Sequence, residues 1–499
     1  MEYVMGIDLG TSSVKAVLMN RDGEIVCGAT REYDVQVPKA GYAVQEPEIW
    51  WERTKEAVRQ AIRARGILPH MVKGVGFSGQ MHGLVALNHK GRPLLPAIIW
   101  QDQRTKAQQE RILKVVREKG LEGELMNKPL AGMLICSLLW VKENRPDIYD
   151  QIACVLLPKD YIRYRLGGCL GTDETDAGGS LAFSVRDRTW CRQLLEALDI
   201  SEAMFPEVGK PFEKAGAVTR EAAGDTGLRE GTTLAFGGGD SAMQLTGNGI
   251  VKEEALCCNI GTASQVLGIL KTPLYDKELR TQTLCHSIAG LWYMQCGSLN
   301  GGSALRWLKG QILKTEKAYS RLDREAGRVE AGCKGLMFLP FLAGERAPFE
   351  NPDARGVFWG LSTEHEQAHM VRAVMEGVAM NLGLCYDIFL KAGAGEKQYL
   401  VASGGGAKGE TWRQILADVF GLPVYVGGSR EEACTGAALM GAVALGWYPS
   451  VKEAVQQTVK IGHEPVNPIS QNVGRYKEQK GELEKLYESC HRLFEKGEK

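Results

Sequence analysis

A short theme occurs twice in this chain, and its repetition constrains the fold more than any other feature. "YVMGIDLGTSSVKAVLM", residues 3 to 19, runs strand, Gly-Thr-small turn, strand, and "ALCCNIGTASQVLGIL", residues 255 to 270, does the same. The common core is [DN]-[LI]-G-T-[SA]-S, at Asp8 to Ser13 and at Asn259 to Ser264. Self-similarity of this kind reads as an internal duplication. Strands alternate with helical segments along the chain, the pattern of α/β architecture. Two related α/β units facing each other make a cleft. The division is placed near residue 245, giving units 1–245 and 246–499, and no Pro- or Ser-rich linker marks it. A length of 499 residues suits two cores better than one.

The local patterns agree with this reading. "RDGE" supplies an Asp-Gly hairpin turn between the second and third strands. A helix is expected from Pro47 to Arg65, with Glu48 in its first turn, and further helices over 103–119, 131–143 and 188–198. "VKGVGFSG" and the stretch 83–100 read as strands, so Gln80 to His82 mark one strand end and Trp100 to Asp102 another. In an α/β sheet such ends are where ligands bind.

Four glycine-rich turns carry the chemistry. At Gly10 the backbone N–H groups can approach an anion closely, Thr11, Ser12 and Ser13 add hydroxyl donors, and Lys15 adds a point charge. Either loop alone reads better as an ordinary hairpin with a polar tip. Two matched loops, one per unit, favour a nucleotide phosphate held between them. Asp8, just ahead of the first loop, is placed to hold Mg2+ through water. The third cluster, Gly404 to Gly406, follows a strand and precedes an amphipathic helix over Glu410 to Phe420, leaving room for a base or ribose. Neither G-x-G-x-x-G in a βαβ context nor the Walker pattern GxxxxGK[ST] is present, so a dinucleotide fold and a P-loop are set aside. The fourth cluster, "FGGGDSAMQ", puts Asp240 at the end of an apolar strand, where it can take a proton from an acceptor hydroxyl. A helix N-cap is the plainer role for the same residue.

Composition closes other routes. Sixty basic and sixty acidic residues balance, which argues against a nucleic-acid or anionic-membrane partner and for a small molecule. The thirteen cysteines, odd in number and without CxxC spacing, read as buried thiols of a reducing cytosol, and the eight histidines are read as giving no metal site. "MEYVMGIDLG" lacks the basic start and apolar core of a signal peptide. The longest apolar helix is taken to be residues 434–448, too short to span a bilayer and rich in small residues. A cytoplasmic location is expected. The charged C-terminal stretch from residue 470 reads as a helix packed on the second unit, with a homodimer contact as the alternative.

These motifs, in this order, resemble the FGGY carbohydrate kinases, and within that family the xylulose kinases. The stretch "GVFWGLSTEHEQAHMVRAVME", Gly356 to Glu376, matches one family signature at every constrained position, and "SGQMHGLVAL", "PAIIWQDQRT", "LLPKDYIRYRL" and "FLAGERAPFENPDARG" extend the likeness over nearly the whole chain. The resemblance implies two ribonuclease H-like domains of the actin-like ATPase superfamily closing over ATP and a sugar. It implies Asp240 as catalytic base, Met81 and His82 as sugar contacts, and Gln80, Trp100, Asp102 and Ser241 lining the same pocket. Asp8 would serve magnesium, Thr11, Ser12 and Ser13 the phosphates from one side, and Gly261 and Thr262 from the other. Gly302, Gly405, Gly406 and Glu410 fall where the family holds the nucleotide. Glu345 and Arg346 are expected as structural ion partners.

Two departures stand out. The other family signature has Lys three residues before the Trp of "LLWVKEN", where this chain has Ser137, and xylulose kinases commonly have Asn after the catalytic Asp, where this chain has Ser241. The expected reaction is transfer of the ATP γ-phosphoryl group to O5 of D-xylulose. A gluconate or other pentulose kinase, a non-catalytic sugar sensor and an actin- or chaperone-like ATPase are the alternatives. "SGQMHG" and "WQDQR" speak against the last, and the presence of Asp8 and Asp240 against the sensor.

Overall fold

The computed structural model describes residues 1–428 and 431–494. In the first unit β1 (Tyr3–Leu9), β2 (Ser13–Met19) and β3 (Ile25–Glu32) form an antiparallel meander, and α1 (Pro47–Arg63) covers it. The chain then adds β4 (Val72–Gly79) parallel to β1, and β5 (Thr233–Ala235) and β6 (Gly238–Gly239) parallel to β4. The order is β5-β4-β1-β2-β3, with Lys214–Ala217 antiparallel at the outer edge. The helix α2 (Asp240–Gly247) leads into the second unit.

There the same order recurs. The strands β7 (Ala255–Ile260), β8 (Ser264–Leu270) and β9 (Trp292–Ser298) are antiparallel neighbours. After α3 (Gln367–Lys391), β10 (Tyr399–Ser403) joins parallel to β7. After α4 (Glu410–Phe420), β11 (Val424–Val426) joins parallel to β10. The five-strand order β9-β8-β7-β10-β11 repeats β3-β2-β1-β4-β5 of the first sheet, while the added edge strands differ: Gln282–Cys285 lies beside β9, and Lys214–Ala217 beside β5 at the opposite edge. The duplicated motif is therefore a duplicated topology, the ribonuclease H-like arrangement in each half. In both sheets the glycine turns lie at the carboxyl ends of the parallel strands.

The halves are joined by an exchange of helices. The helix α5 (Glu432–Ala444), late in the chain, packs on β1 and β4 of the first sheet and against α2. In return, α2 buries Ala242, Met243 and Leu245 in an apolar cluster with Ala255, Leu267 and Val401 of the second sheet. The crossing is close. A Cβ at Gly76 would stand 1.9 Å from the carbonyl of Ala437, and one at Gly436 2.1 Å from that of Met243. The small residues of "CTGAALMGAVA" let α5 sit between two backbones, so they mark a junction, not a membrane segment. Residue 245 lies inside α2.

Two expectations change. The longest apolar helix is α3, 25 residues, and 89% of its most apolar window is buried in the core of the second unit. Its charges concealed it. Arg372 and Glu376 are both buried, pair at 2.6 Å, and are tied to Tyr476 of the terminal helix α6 (Ser470–Phe494). The described part of α6 buries Tyr476, Leu483, Leu486 and Tyr487 against this unit, as expected of a packed terminal helix. Second, the stretch 83–100 supplies only Val85–Leu87 and Ala97–Ile98, which pair with Cys154–Leu156 and Val44–Gln45 outside the main sheet. Gln80 to His82 therefore follow a strand of the main sheet, whereas Trp100 to Asp102 follow an outlying two-residue strand.

Candidate active site

The first centre lies at the carboxyl ends of β1, β4 and β6. Register places Asp8 beside Ser78 and Ser78 beside Gly238, so Asp240 comes two residues beyond that rung. Ser78 Oγ donates to Asp8 Oδ1 at 2.7 Å. Burial and the nearby Asp8 charge push the Asp240 carboxyl up to about 7, and burial raises Asp8 as well, against the pull of Ser78 and Lys15. A carboxyl poised near neutrality in a cleft has the proton affinity that a general base needs. Asp240 is the first residue of α2, whose N-cap is Gly239, and Ser241 Oγ donates to Asp240 Oδ1 at 3.4 Å. The glycines before it are closely packed: at Gly237 (φ 75°) a Cβ would strike the carbonyl of Phe77 at 2.3 Å.

Met81 and His82 border the same centre. A Cβ at Gly239 would lie 2.9 Å from Met81 Cγ. His82 has a left-handed backbone (φ 75°), a strain of about 1–2 kcal/mol. Its Nδ1 donates to the carbonyl of Gly179 at 2.6 Å, and burial lowers its pKa, so the ring is neutral and Nε2 is an acceptor for a hydroxyl. Gln80 is buried, its Nε2 donates to Gln45 Oε1 at 3.0 Å, and its Oε1 meets no partner among the described residues.

The first loop is tethered from several sides. Gly10 N–H donates to the Ser13 carbonyl, Tyr33 Oη donates to the Gly10 carbonyl, the Tyr33 amide donates to the Ser12 carbonyl, and Gln45 Nε2 donates to the Thr11 carbonyl. Trp100 Nε1 donates to Thr11 Oγ1 at 2.9 Å, which places Trp100 at the first Gly-Thr loop. Asp102 is fully buried and saturated: Oδ1 accepts from the Arg104 amide and Nε, and Oδ2 from Arg104 Nη2 and the Ala43 amide. The Arg104 guanidinium lies over the Tyr42 ring at 3.7 Å and the Trp140 ring at 4.8 Å. This bidentate, stacked pair accounts for both charged residues of "WQDQR" without a ligand. Lys15 pairs with Glu431 at 2.5 Å across the two halves, so its charge is shared with a carboxylate 416 positions away.

The second centre opens where the second loop meets the third glycine cluster. A cavity of about 530 Å³ is lined by Gly261, Thr262, Gly302, Gly405 and Gly406, all anticipated, and by residues that sequence reasoning missed. Arg306 lines it and donates to Thr262 Oγ1 at 3.2 Å, Tyr319 gives it an exposed aromatic face, and Lys408 a second cation. The spacing "GSALRW" puts Arg306 one helical turn beyond Gly302, a signal available in the sequence. Glu410 does not line this cavity. It is exposed in the first turn of α4, whose early amides at Thr411 and Trp412 donate to Asp323.

The remaining expectations divide. Glu345 is buried and accepts from Ser298 Oγ and from the Arg346 amide, but among the described residues no ion pair joins the two side chains. Arg346 instead lies close enough to His82 and Lys128 to lower both, and Lys128 bridges the halves to Glu350. Ser137 lies in the buried helix Leu134–Asn144. One histidine pattern was overlooked: "HEQAH", His365 to His369, has HExxH spacing. In the fold His365 precedes α3 and the two rings meet edge to face at 5.4 Å, with both His365 nitrogens engaged by Ser362 and the Cys333 carbonyl and His369 Nδ1 accepting from the Glu366 amide in a capping box. Among the described residues no group of three His, Cys, Asp or Glu side chains is arranged to hold a metal ion. Magnesium asks for less, one or two carboxylates with water and phosphate oxygens completing its shell, and the Asp8 carboxyl beside Asp240 is compatible with that requirement.

The wider likenesses agree with the two-centre geometry. Residues 3–247 match the N-terminal domain, and residues 256–445 the C-terminal domain, of the FGGY family of carbohydrate kinases. The xylulose kinase of Staphylococcus xylosus is 33% identical over 96% of this chain and 98% of its own. A gluconokinase of Bacillus subtilis is 28% identical over 93% of this chain and 92% of its own. The solved xylulose kinase of Rhodospirillum rubrum superposes with a TM-score of 0.91 at 26% identity, covering 99% of this chain and 100% of its own. The chain belongs to the FGGY family of carbohydrate kinases and is a sugar kinase that takes ATP as its phosphoryl donor.

Proposed function

We propose that the chain phosphorylates a ketopentose, converting D-xylulose to D-xylulose 5-phosphate, with Asp240 as general base. The observation that carries this reading is the Asp240 carboxyl, pushed up to about 7 beside Asp8 at the strand ends where Met81 and His82 also lie. Asp240 accepts the proton of the terminal hydroxyl as that oxygen attacks the γ-phosphorus. His82 Nε2 accepts from another sugar hydroxyl, which orients the chain of the ketose. The polyphosphate lies between the two Gly-Thr loops, with Arg306 beside Thr262 supplying charge on the second side. Asp8 is the residue that would hold magnesium, which when bound would supply positive charge to the polyphosphate. A loose phosphoryl-transfer transition state needs positioning and charge more than covalent chemistry. The units that divide near residue 245 close over both substrates and exclude water, the competing acceptor.

A second reading has its own observation. Arg346, with no ion-pair partner among the described residues, lies near His82 and Lys128 and gives the sugar end of the cleft positive charge that would suit an aldonate carboxylate. ADP release measured over D-xylulose, L-xylulose, D-ribulose, L-ribulose, gluconate and glycerol separates them. The highest kcat/KM is expected with D-xylulose. A preference for gluconate would replace this reading with the second, and turnover on none would favour a sensor.

A further inference from the structure

The most deeply buried charges lie outside the groups that touch substrate. Lys159, 1% exposed, opens the helix Pro158–Gly167 and sits among three buried carboxylates. Its Nζ stands 2.6 Å from Asp160, 2.7 Å from Asp173 and 3.3 Å from Asp176. Arg163, equally buried, adds a contact to Asp160 and lies over the Phe236 ring. A fully buried lysine is rare because its desolvation is costly, and a hydrophobic residue would fill the same space more cheaply.

From Lys159 an ion pair to Asp173, followed by hydrogen bonds through Thr175, leads to the residue before Asp240. Asp173 caps the short helix Glu174–Ala177, and its Oδ1 accepts from the Thr175 amide at 2.9 Å and from Thr175 Oγ1 at 2.5 Å. A hydroxyl has one proton, so Thr175, donating it to Asp173, must offer a lone pair elsewhere. It does so to the Gly239 amide at 3.0 Å, and Gly239 is the residue before Asp240. Polarity runs one way: the lysine pairs with Asp173, Asp173 accepts the threonine proton, and the threonine oxygen holds the loop. The same cluster abuts the sugar side, since a Cβ at Gly79 would lie 2.9 Å from Lys159 Cβ just before Gln80 to His82.

Gly237 to Gly239 have no side chains with which to fix their own place, so the position of Asp240 has to be imposed from outside. We propose that Lys159, Asp173 and Thr175 are positioning residues that set the Asp240 loop for proton abstraction. The proposal rests on Asp240 being the base.

Thr175→Val keeps the shape and removes the hydroxyl, and Thr175→Ser keeps the hydroxyl. Sugar-dependent ADP release by Thr175→Val should show kcat lowered about 10- to 100-fold with KM for ATP changed less than about twofold, because misplacement of a catalytic group costs rate and not nucleotide binding. Thr175→Ser should recover kcat to within about threefold, and Thr175→Val in an Asp240→Ala background should lower the residual rate no further. Lys159→Met should show the same split between kcat and KM; if it fails to fold, the threonine pair decides alone. Wild-type kcat in Thr175→Val while Asp240→Ala is inactive overturns the positioning role and leaves the base intact. Equal losses in Thr175→Val and Thr175→Ser, or a parallel loss of ATP affinity, also overturn it. Retained turnover in Asp240→Ala removes both readings.

Discussion

One rung of each sheet shows how the two halves have diverged. In the first, Asp8 on β1 stands in register with Ser78 on β4, and the serine donates to the carboxylate. In the second, Asn259 on β7 stands in register with Ser403 on β10, and Asn259 Nδ2 donates to the serine at 2.9 Å. The position, the neighbouring serine and the Gly-Thr turn that follows are the same. Only the charge differs. The acid in the first half can attract a cation and adds to the burial that pushes the Asp240 carboxyl up to about 7. Under the proposed function an acid in the second half would face the polyphosphate, and the amide there would avoid that repulsion. The proposal thus gives chemistry to one copy of the motif and nucleotide binding to the other.

Substitutions can break this comparison at points of decreasing weight. Removing the base altogether, Asp240→Ala, should lower kcat about 10²- to 10⁴-fold in sugar-dependent ADP release. Asp8→Asn gives the first half the chemistry of the second. It should lower activity about 10- to 100-fold and raise the magnesium concentration needed for half-maximal rate. The sign for pH follows from the two carboxyls. In the wild type, kcat/KM should fall as pH drops through about 7, because the base is lost on protonation. In Asp8→Asn that acid limb should move to lower pH, because the like charge that raises Asp240 is gone. The reverse exchange, Asn259→Asp, should raise KM for ATP about tenfold with a smaller change in kcat, reading a like charge near the phosphates through a solvent-exposed cleft. Lys15→Met should be the mildest. Both partners of the Lys15–Glu431 bridge are 33% exposed, so its loss should cost only about 0.2–1 kcal/mol in a urea titration.

What the sequence displayed was chemistry contiguous along the chain. Asp8, His82, Asp240 and the glycine clusters each carry their meaning within a few residues, and the fold brings them to strand ends as their patterns suggest. What it hid depends on contacts between distant positions. Nothing near Lys15 announces Glu431, and nothing in "WQDQR" shows that Arg104 and Ala43 will consume Asp102. The exchange of α2 and α5 is invisible until two sheets are built, although the small residues of α5 are its trace. Arg372 and Glu376 interrupt the apolar run of α3 in the sequence, and only the fold shows that Tyr476 closes the pair inside the core. The histidines of "HEQAH" mislead in the opposite direction, since local spacing suggests a metal site that the helix start at Gln367 does not build.

The division of labour between the halves is tested most directly by Asp240→Asn, with nucleotide affinity and D-xylulose-dependent ADP release measured on the same preparation. The account predicts that ATP binds with wild-type affinity while transfer is lost. Sugar-dependent turnover retained in that variant, or nucleotide affinity lost together with it, would contradict the account.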